Sequence, residues 1–164
     1  MTEPLVIGVG GNIGTVDAIV ARFVSARAAL ALIGAVRSAP LYRSAPIGPA
    51  QPAFVNTAVR VALADATPAE LIATVLEIER LLGRTRAERW GPRTIDLDVL
   101  VWGARIVRTP ELEVPHPRLA ERRFALAPLV DLLGDDFAVP GLAAAGDLLA
   151  RVAAQDCEQI AASW

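Results

Sequence analysis

Asp96 and Asp98 stand two positions apart and are the residues of this chain best suited to hold a hard cation. Side chains alternate along a strand, so on a strand over 95–101 both carboxylates fall on one face. Ile95, Leu97 and Val99 take the other. Carboxylates so placed lie about 7 Å apart, beside a core strand. Their repulsion raises their pKa values unless a cation sits between them. Magnesium, which takes one or two carboxylates, several waters and substrate phosphates, meets that need.

Immediately upstream, Arg84, Arg86, Arg89 and Arg93 put four arginines into ten residues, and Trp90-Gly91-Pro92 stiffens the join to the acids. Guanidinium forks bind phosphate oxygens bidentately. All sixteen basic residues are arginines, which excludes a lysine-bearing phosphate loop and any Schiff base. An Asp-x-Asp pair alone suits a solvated edge strand, and an arginine run alone suits a solvated loop or a nucleic-acid patch. Side by side they favour an anion-plus-metal site, the arrangement phosphoryl transfer needs.

His116 lies between two prolines and reads either as a surface histidine or, with Arg118, Arg122 and Arg123, as part of a second cationic cluster. Phe54 and Phe124 suit a core as readily as a ligand. Yet Phe54 adjoins Asn56 in a neutral loop, and Trp90 sits among the arginines. Flat aromatic walls with an amide between them suit a flat heterocycle.

The elements that must position these groups follow from periodicity. Residues 5–9 read as a buried strand, and 16–31 as a helix with Ile19, Phe23, Ala26 and Leu30 inward. Residues 35–42 look extended, with Pro40 favouring an edge or a bulge. A stiff loop rich in proline and glycine leads to a strand over 56–63. Thr67-Pro68-Ala69-Glu70 is a capping box that opens a helix ending at Gly83. After the strand at 95–101 come a short return near Ile106 and helical stretches at 124–133 and 142–154. The order β-α-β-β-α-β with a C-terminal helical extension predicts an α+β sandwich of ferredoxin-like type, helices on one face of an antiparallel sheet.

At 164 residues, 54% apolar and 21% charged, the chain suits one domain over 1–164 with a real core. A net charge of −2 gives no global pull toward nucleic acid or an anionic membrane. No apolar run reaches the ~18 residues that cross a bilayer, and the N-terminus lacks a secretory pattern, so cytoplasmic residence is expected. Cys157 is the single cysteine, sits among acids, and reads as incidental.

Several blocks appear in a familiar order: Gly10-Gly11-Asn12-Ile13-Gly14, the run from Tyr42 to Gly48, Gln51 to Asn56, Gly83-Arg84, Arg89 through Asp98, and Val114 to Arg118. Over residues 5 to 133 the chain resembles the 6-hydroxymethyl-7,8-dihydropterin pyrophosphokinases of folate synthesis, and the Arg89–Asp98 block is highly specific to them. The resemblance implies a ferredoxin-like fold, ATP as diphosphate donor, two magnesium ions and AMP as product. It implies Asp96 and Asp98 as metal ligands and Arg84 and Arg93 as the arginines assisting transfer. Arg86 and Arg89 would lie in a loop closing over ATP, and Glu79, Val99, His116 and Arg122 in the nucleotide site. Ser44, Ala45 and Ile47 would meet the pterin through the main chain. Asn56 would hydrogen-bond its edge, Phe54 and Phe124 would sandwich it, and Trp90 would shield it. Gly11, Thr15 and Phe54 depart from the usual residues without removing a metal ligand or a transfer arginine. The implied partners are ATP and the pterin, with a monomeric enzyme and no nucleic acid or membrane.

Two other readings remain open on the residues. One is a ferredoxin-like module binding single-stranded RNA, which needs aromatics paired on central strands. The other is an ordinary kinase releasing ADP.

Overall fold

The computed structural model describes residues 2–84 and 89–164. Its centre is β1 (Pro4–Gly11), whose sequence PLVIGVGG is apolar at nearly every position. Such a run belongs to a strand covered on both faces. Leu5, Ile7 and Val9 point into one core with the helices α1 (Val16–Leu30) and α2 (Pro68–Leu81). Val6 points into a second core with α3 (Arg123–Leu133) and α4 (Ala145–Arg151). Helices therefore cover both faces of the sheet rather than one. The second layer comes from the C-terminal third, whose Leu126, Leu129 and Leu148 are fully or almost fully buried. Each such side chain contributes about 1.5–3 kcal/mol.

β1 pairs antiparallel with β4 (Phe54–Leu63) and, on its other side, with β5 (Asp96–Trp102). β2 (Gly34–Ser38) and β3 (Leu41–Ser44) both lie along β4, against residues 59–63 and 54–56 respectively. The expected extended stretch 35–42 is thus two strands, parted at Ala39-Pro40, where proline has no amide to donate. The return after β5 is a separate two-stranded sheet, β6 (Val107–Arg108) with β7 (Glu113–Val114).

The C-terminal extension is less helical than its composition suggests. Of 142–154 only α4 is α-helical. Gly141 adopts φ 73°, and the Ala145 amide donates to the Phe137 carbonyl, so the preceding residues form a turn. The chain then adds β8 (Cys157–Ala161) to the free edge of β3 and completes the order β5-β1-β4-β3-β8.

Both long helices start where the sequence marks them. Thr67 and Glu70 exchange the hydrogen bonds of a capping box before α2, and Thr15 Oγ1 accepts from the Ala18 amide before α1. No helix among the described residues is long and apolar enough to cross a membrane.

Candidate active site

A cleft of about 430 Å³ opens over the C-terminal half of β1 and the start of β5. Its floor is Gly8, Val9 and Gly10. Arg84, Arg89, Trp90 and Arg93 come from the loop before β5, Asp96 and Asp98 from β5, and His116, Arg118 and Arg122 from the segment before α3. The opposite wall holds Ser44, Ala45, Ile47, Phe54 and Asn56, with Phe124 from α3. Cationic, acidic and neutral aromatic groups thus share one space.

Asp96 and Asp98 line the cleft, while Ile95, Leu97 and Val99 are buried in the core beneath. Burial first, and repulsion from Asp98 second, push the Asp96 carboxyl up to about 6; Arg84 and Arg93 oppose the shift. An Arg84 nitrogen lies 3.3 Å from Asp96 Oδ1 and Arg93 Nε 3.5 Å from Oδ2. Among the described residues no cluster of three histidines, cysteines or acids surrounds a point. Two hard carboxylates lining one cleft are instead the donor set that suits magnesium, whose remaining positions go to water and phosphate oxygens. The residues present fit that ion.

Glu79 does not line the cleft. It is 2% exposed on α2, where one carboxylate oxygen accepts from the Leu97 amide at 2.7 Å and the other bonds Arg84. β5 is a sheet edge whose outward amide needs a partner, and Glu79 supplies it. Burial pushes its carboxyl above the usual range, against the pull of those two donors. Val99 also turns away from the cleft into the core, so any nucleotide contact there is confined to its main chain. Arg86 lies outside the described residues.

His116 Nδ1 accepts from the Arg118 amide at 3.1 Å, which leaves Nε2 as the nitrogen available to a ligand. Burial, then Arg122 and Arg118 against an opposing Asp98, lowers its pKa and favours the neutral ring. Trp90 adopts φ 64°, unusual for a large side chain. Arg118 lies 4.4 Å from its ring centroid and Arg89 5.6 Å. Across from it Gly48, at φ 101°, comes so near that a Cβ there would stand 2.9 Å from Trp90 Cβ.

On the neutral wall Asn56 Nδ2 donates to Ser44 Oγ at 2.7 Å, a buried bond between neighbouring strands. Gly10 lies beneath, where a Cβ would meet Asn56 Oδ1 at 2.8 Å. The amide oxygen therefore borders the cleft only because that strand position is bare.

Asn12 had no role in the sequence reading beyond its motif, yet it joins three loops. It is 1% exposed. Its Oδ1 accepts from the Arg93 amide at 2.8 Å, and its own amide donates to the Arg93 carbonyl at 3.0 Å. Its Nδ2 donates to Gln51 Oε1 and to the Pro52 carbonyl, both at 2.9 Å. Gln51 Nε2 in turn donates to the Trp90 carbonyl at 2.7 Å. The signal was a small amide directly after a Gly-Gly strand end, where an asparagine side chain readily bonds backbone.

The RNA-binding alternative lacks its platform. Among the described residues, the sheet's aromatics do not pair on its central strands: Trp102 is buried, Phe54 lies at the cleft, and Tyr42 on β3 donates its hydroxyl to Asp131.

An α+β sandwich with a polar, arginine-rich cleft beside two strand carboxylates defines a class of phosphate-handling proteins. Residues 6–134 match the family 7,8-dihydro-6-hydroxymethylpterin-pyrophosphokinase, HPPK, and this chain belongs to it. It is similar to the 2-amino-4-hydroxy-6-hydroxymethyldihydropteridine pyrophosphokinase of Synechocystis: 42% identical over 135 residues, which cover 79% of this chain and 66% of that one. The Bacillus subtilis enzyme of the same name is 39% identical over 127 residues, covering 77% and 75%. The mitochondrial folate synthesis bifunctional protein of Pisum sativum is 44% identical over 138 residues, which span 80% of this chain and only 25% of that one. The crystal structure of Plasmodium falciparum HPPK-DHPS wild type with pteroate superposes with a TM-score of 0.70, over 92% of this chain and 44% of that one. At 12% identity it speaks for the fold alone.

Proposed function

We propose that this chain transfers the β,γ-diphosphate of ATP to the hydroxymethyl group of 6-hydroxymethyl-7,8-dihydropterin, giving the pterin diphosphate and AMP. The observation that carries the reading is one cleft with two unlike walls. Asp96 and Asp98 with their arginines form one wall, and Asn56 with Phe54 and Phe124 forms the other. The names of the relatives point the same way.

Asp96 and Asp98 would hold two magnesium ions, which supply charge neutralisation for the phosphates when bound. Arg84 and Arg93 bind and orient the transferring group, their forks matched to phosphate oxygens. Arg86, Arg89, His116 and Arg122 hold the nucleotide. Asn56 reads the edge of the flat heterocycle, Ser44, Ala45 and Ile47 meet it through the main chain, and the two phenylalanines hold its faces. The acceptor oxygen forms a bond to the β-phosphorus as the bond from that phosphorus to the α-bridging oxygen breaks. AMP departs and the hydroxyl proton is released. Trp90 shields the reacting groups from water, which would otherwise hydrolyse ATP.

ATP binds first in this reading and the pterin second, on a wall completed by the nucleotide-bound loop. The chain acts as a cytoplasmic monomer of one domain. Phosphorus NMR of the protein with ATP, magnesium and the hydroxymethyl pterin tests the assignment: AMP and a pterin diphosphate must rise together. ADP with a pterin monophosphate would make it an ordinary kinase, and sedimentation as a dimer would remove the monomer.

A further inference from the structure

Arg122 stands directly ahead of α3 in extended conformation, at φ −126° and ψ 103°, and its side chain does not cap the helix. The first amide of α3, on Arg123, has no partner inside the helix. Gln155 supplies one from 32 residues away: its Oε1 accepts from the Arg123 amide at 2.9 Å. The same side chain donates through Nε2 to the Glu121 carbonyl at 2.7 Å. One amide group thus grips the backbone on both sides of Arg122.

The grip is mutual. The Arg123 guanidinium donates to the Ala153 carbonyl at 2.9 Å and to the Gln155 carbonyl at 2.8 Å, which fixes the loop that carries Gln155. Arg122 itself lines the cleft, 5.5 Å from the Phe124 ring centroid and 5.9 Å from that of Trp90. Its Nε is buried without a hydrogen-bond partner in the protein. Beyond its ring contacts and the attraction of Asp98, that guanidinium depends on its backbone for the point from which the side chain starts. Gln155 lies beyond residue 134, where the family match ends, in the segment that leads into β8.

We infer that Gln155 is a positioning residue for Arg122: by clasping the backbone on either side, it holds the guanidinium at the angle from which it meets the nucleotide. The inference rests on the proposed nucleotide role of Arg122. A glutamine suits the task because its amide offers a donor and an acceptor at once, matched to one carbonyl and one amide.

Calorimetry with magnesium and α,β-methylene-ATP, on four full-length chains, tests it. Gln155→Leu and Arg122→Ala are each expected to weaken binding about tenfold, the scale of one charge-assisted hydrogen bond. The double variant is expected within twofold of Arg122→Ala, because Gln155 acts through that arginine. Hydrogen exchange at the Arg123 amide should quicken in Gln155→Leu. If the leucine variant fails to fold, Gln155→Glu decides. It keeps the acceptor, loses the donor to Glu121, and should weaken binding about threefold. Gln155→Leu binding within twofold of the parent, or losses that multiply in the double variant, would overturn the inference while leaving the function in place. If Arg122→Ala bound the analogue like the parent, the nucleotide role of that arginine would fall and the inference with it.

Discussion

The Leu97 amide donates to the buried Glu79 carboxylate at 2.7 Å, so the residue between the two cleft acids is held from behind by a third acid. Because that third acid also bonds Arg84, α2 sets the strand and one cleft arginine together. Glu79→Ala should therefore cost about 1–3 kcal/mol, the penalty of an orphaned buried donor. Glu79→Gln, which can still accept from Leu97, should cost less. Urea denaturation ranks them, and equal losses would remove the Leu97 bond from the account.

Asp96→Asn and Asp98→Asn should each abolish turnover and leave the circular dichroism unchanged. Removing either charge also relieves the repulsion between neighbours, so metal-free Asp96→Asn should melt no lower than the parent. Activity retained in either variant would detach these acids from the metal.

Arg93→Ala should lower kcat by roughly 10²–10³ while weakening nucleotide binding far less, as for a group whose contacts strengthen in the transition state. Steady-state kinetics beside calorimetry separates the two. A loss of affinity at unchanged kcat would assign Arg93 to ground-state binding.

Gly10→Ala should raise the KM for the pterin and spare that for ATP. The added methyl would stand 2.8 Å from Asn56 Oδ1 and push the amide from its place. Equal changes in both constants would show a general distortion of β1 instead.

Tyr42 is the single tyrosine, and no lysine titrates near it, so phenolate absorbance reports one group. Burial, followed by the hydrogen bond to Asp131 at 2.5 Å, pushes its pKa well above the usual tyrosine range. A raised folded pKa means that the stabilisation is complete below the ordinary value of about 10. It is lost as pH climbs through the folded value. Phenolate should appear together with unfolding, and at lower pH in Asp131→Asn. Titration near 10 with the fold intact would count against the contact.

The parts of this architecture legible in the sequence are those decided locally. Thr67 and Glu70 mark a helix start by their own bonds, and alternation alone puts Asp96 and Asp98 on the face opposite Leu97. β8 was not legible: Glu158, Gln159 and Ile160 are all exposed, and the segment is a strand because β3 offers it an unpaired edge. Glu79 could not be told from a surface glutamate, since its partners on β5 are brought there by folding. The layer formed by α3 and α4 overturns the expectation of helices on one face; its physical reason is the apolar run of β1, which calls for cover on both sides.

Gly8 and Gly10 leave the base of the cleft as bare main chain, with Leu100 3.3 Å and Asn56 2.8 Å from where their Cβ atoms would stand. An inhibitor seated against that base would touch a surface almost without side chains to exchange. Resistance by point substitution would then have to arise at the rim, where each altered group also serves the natural ligands.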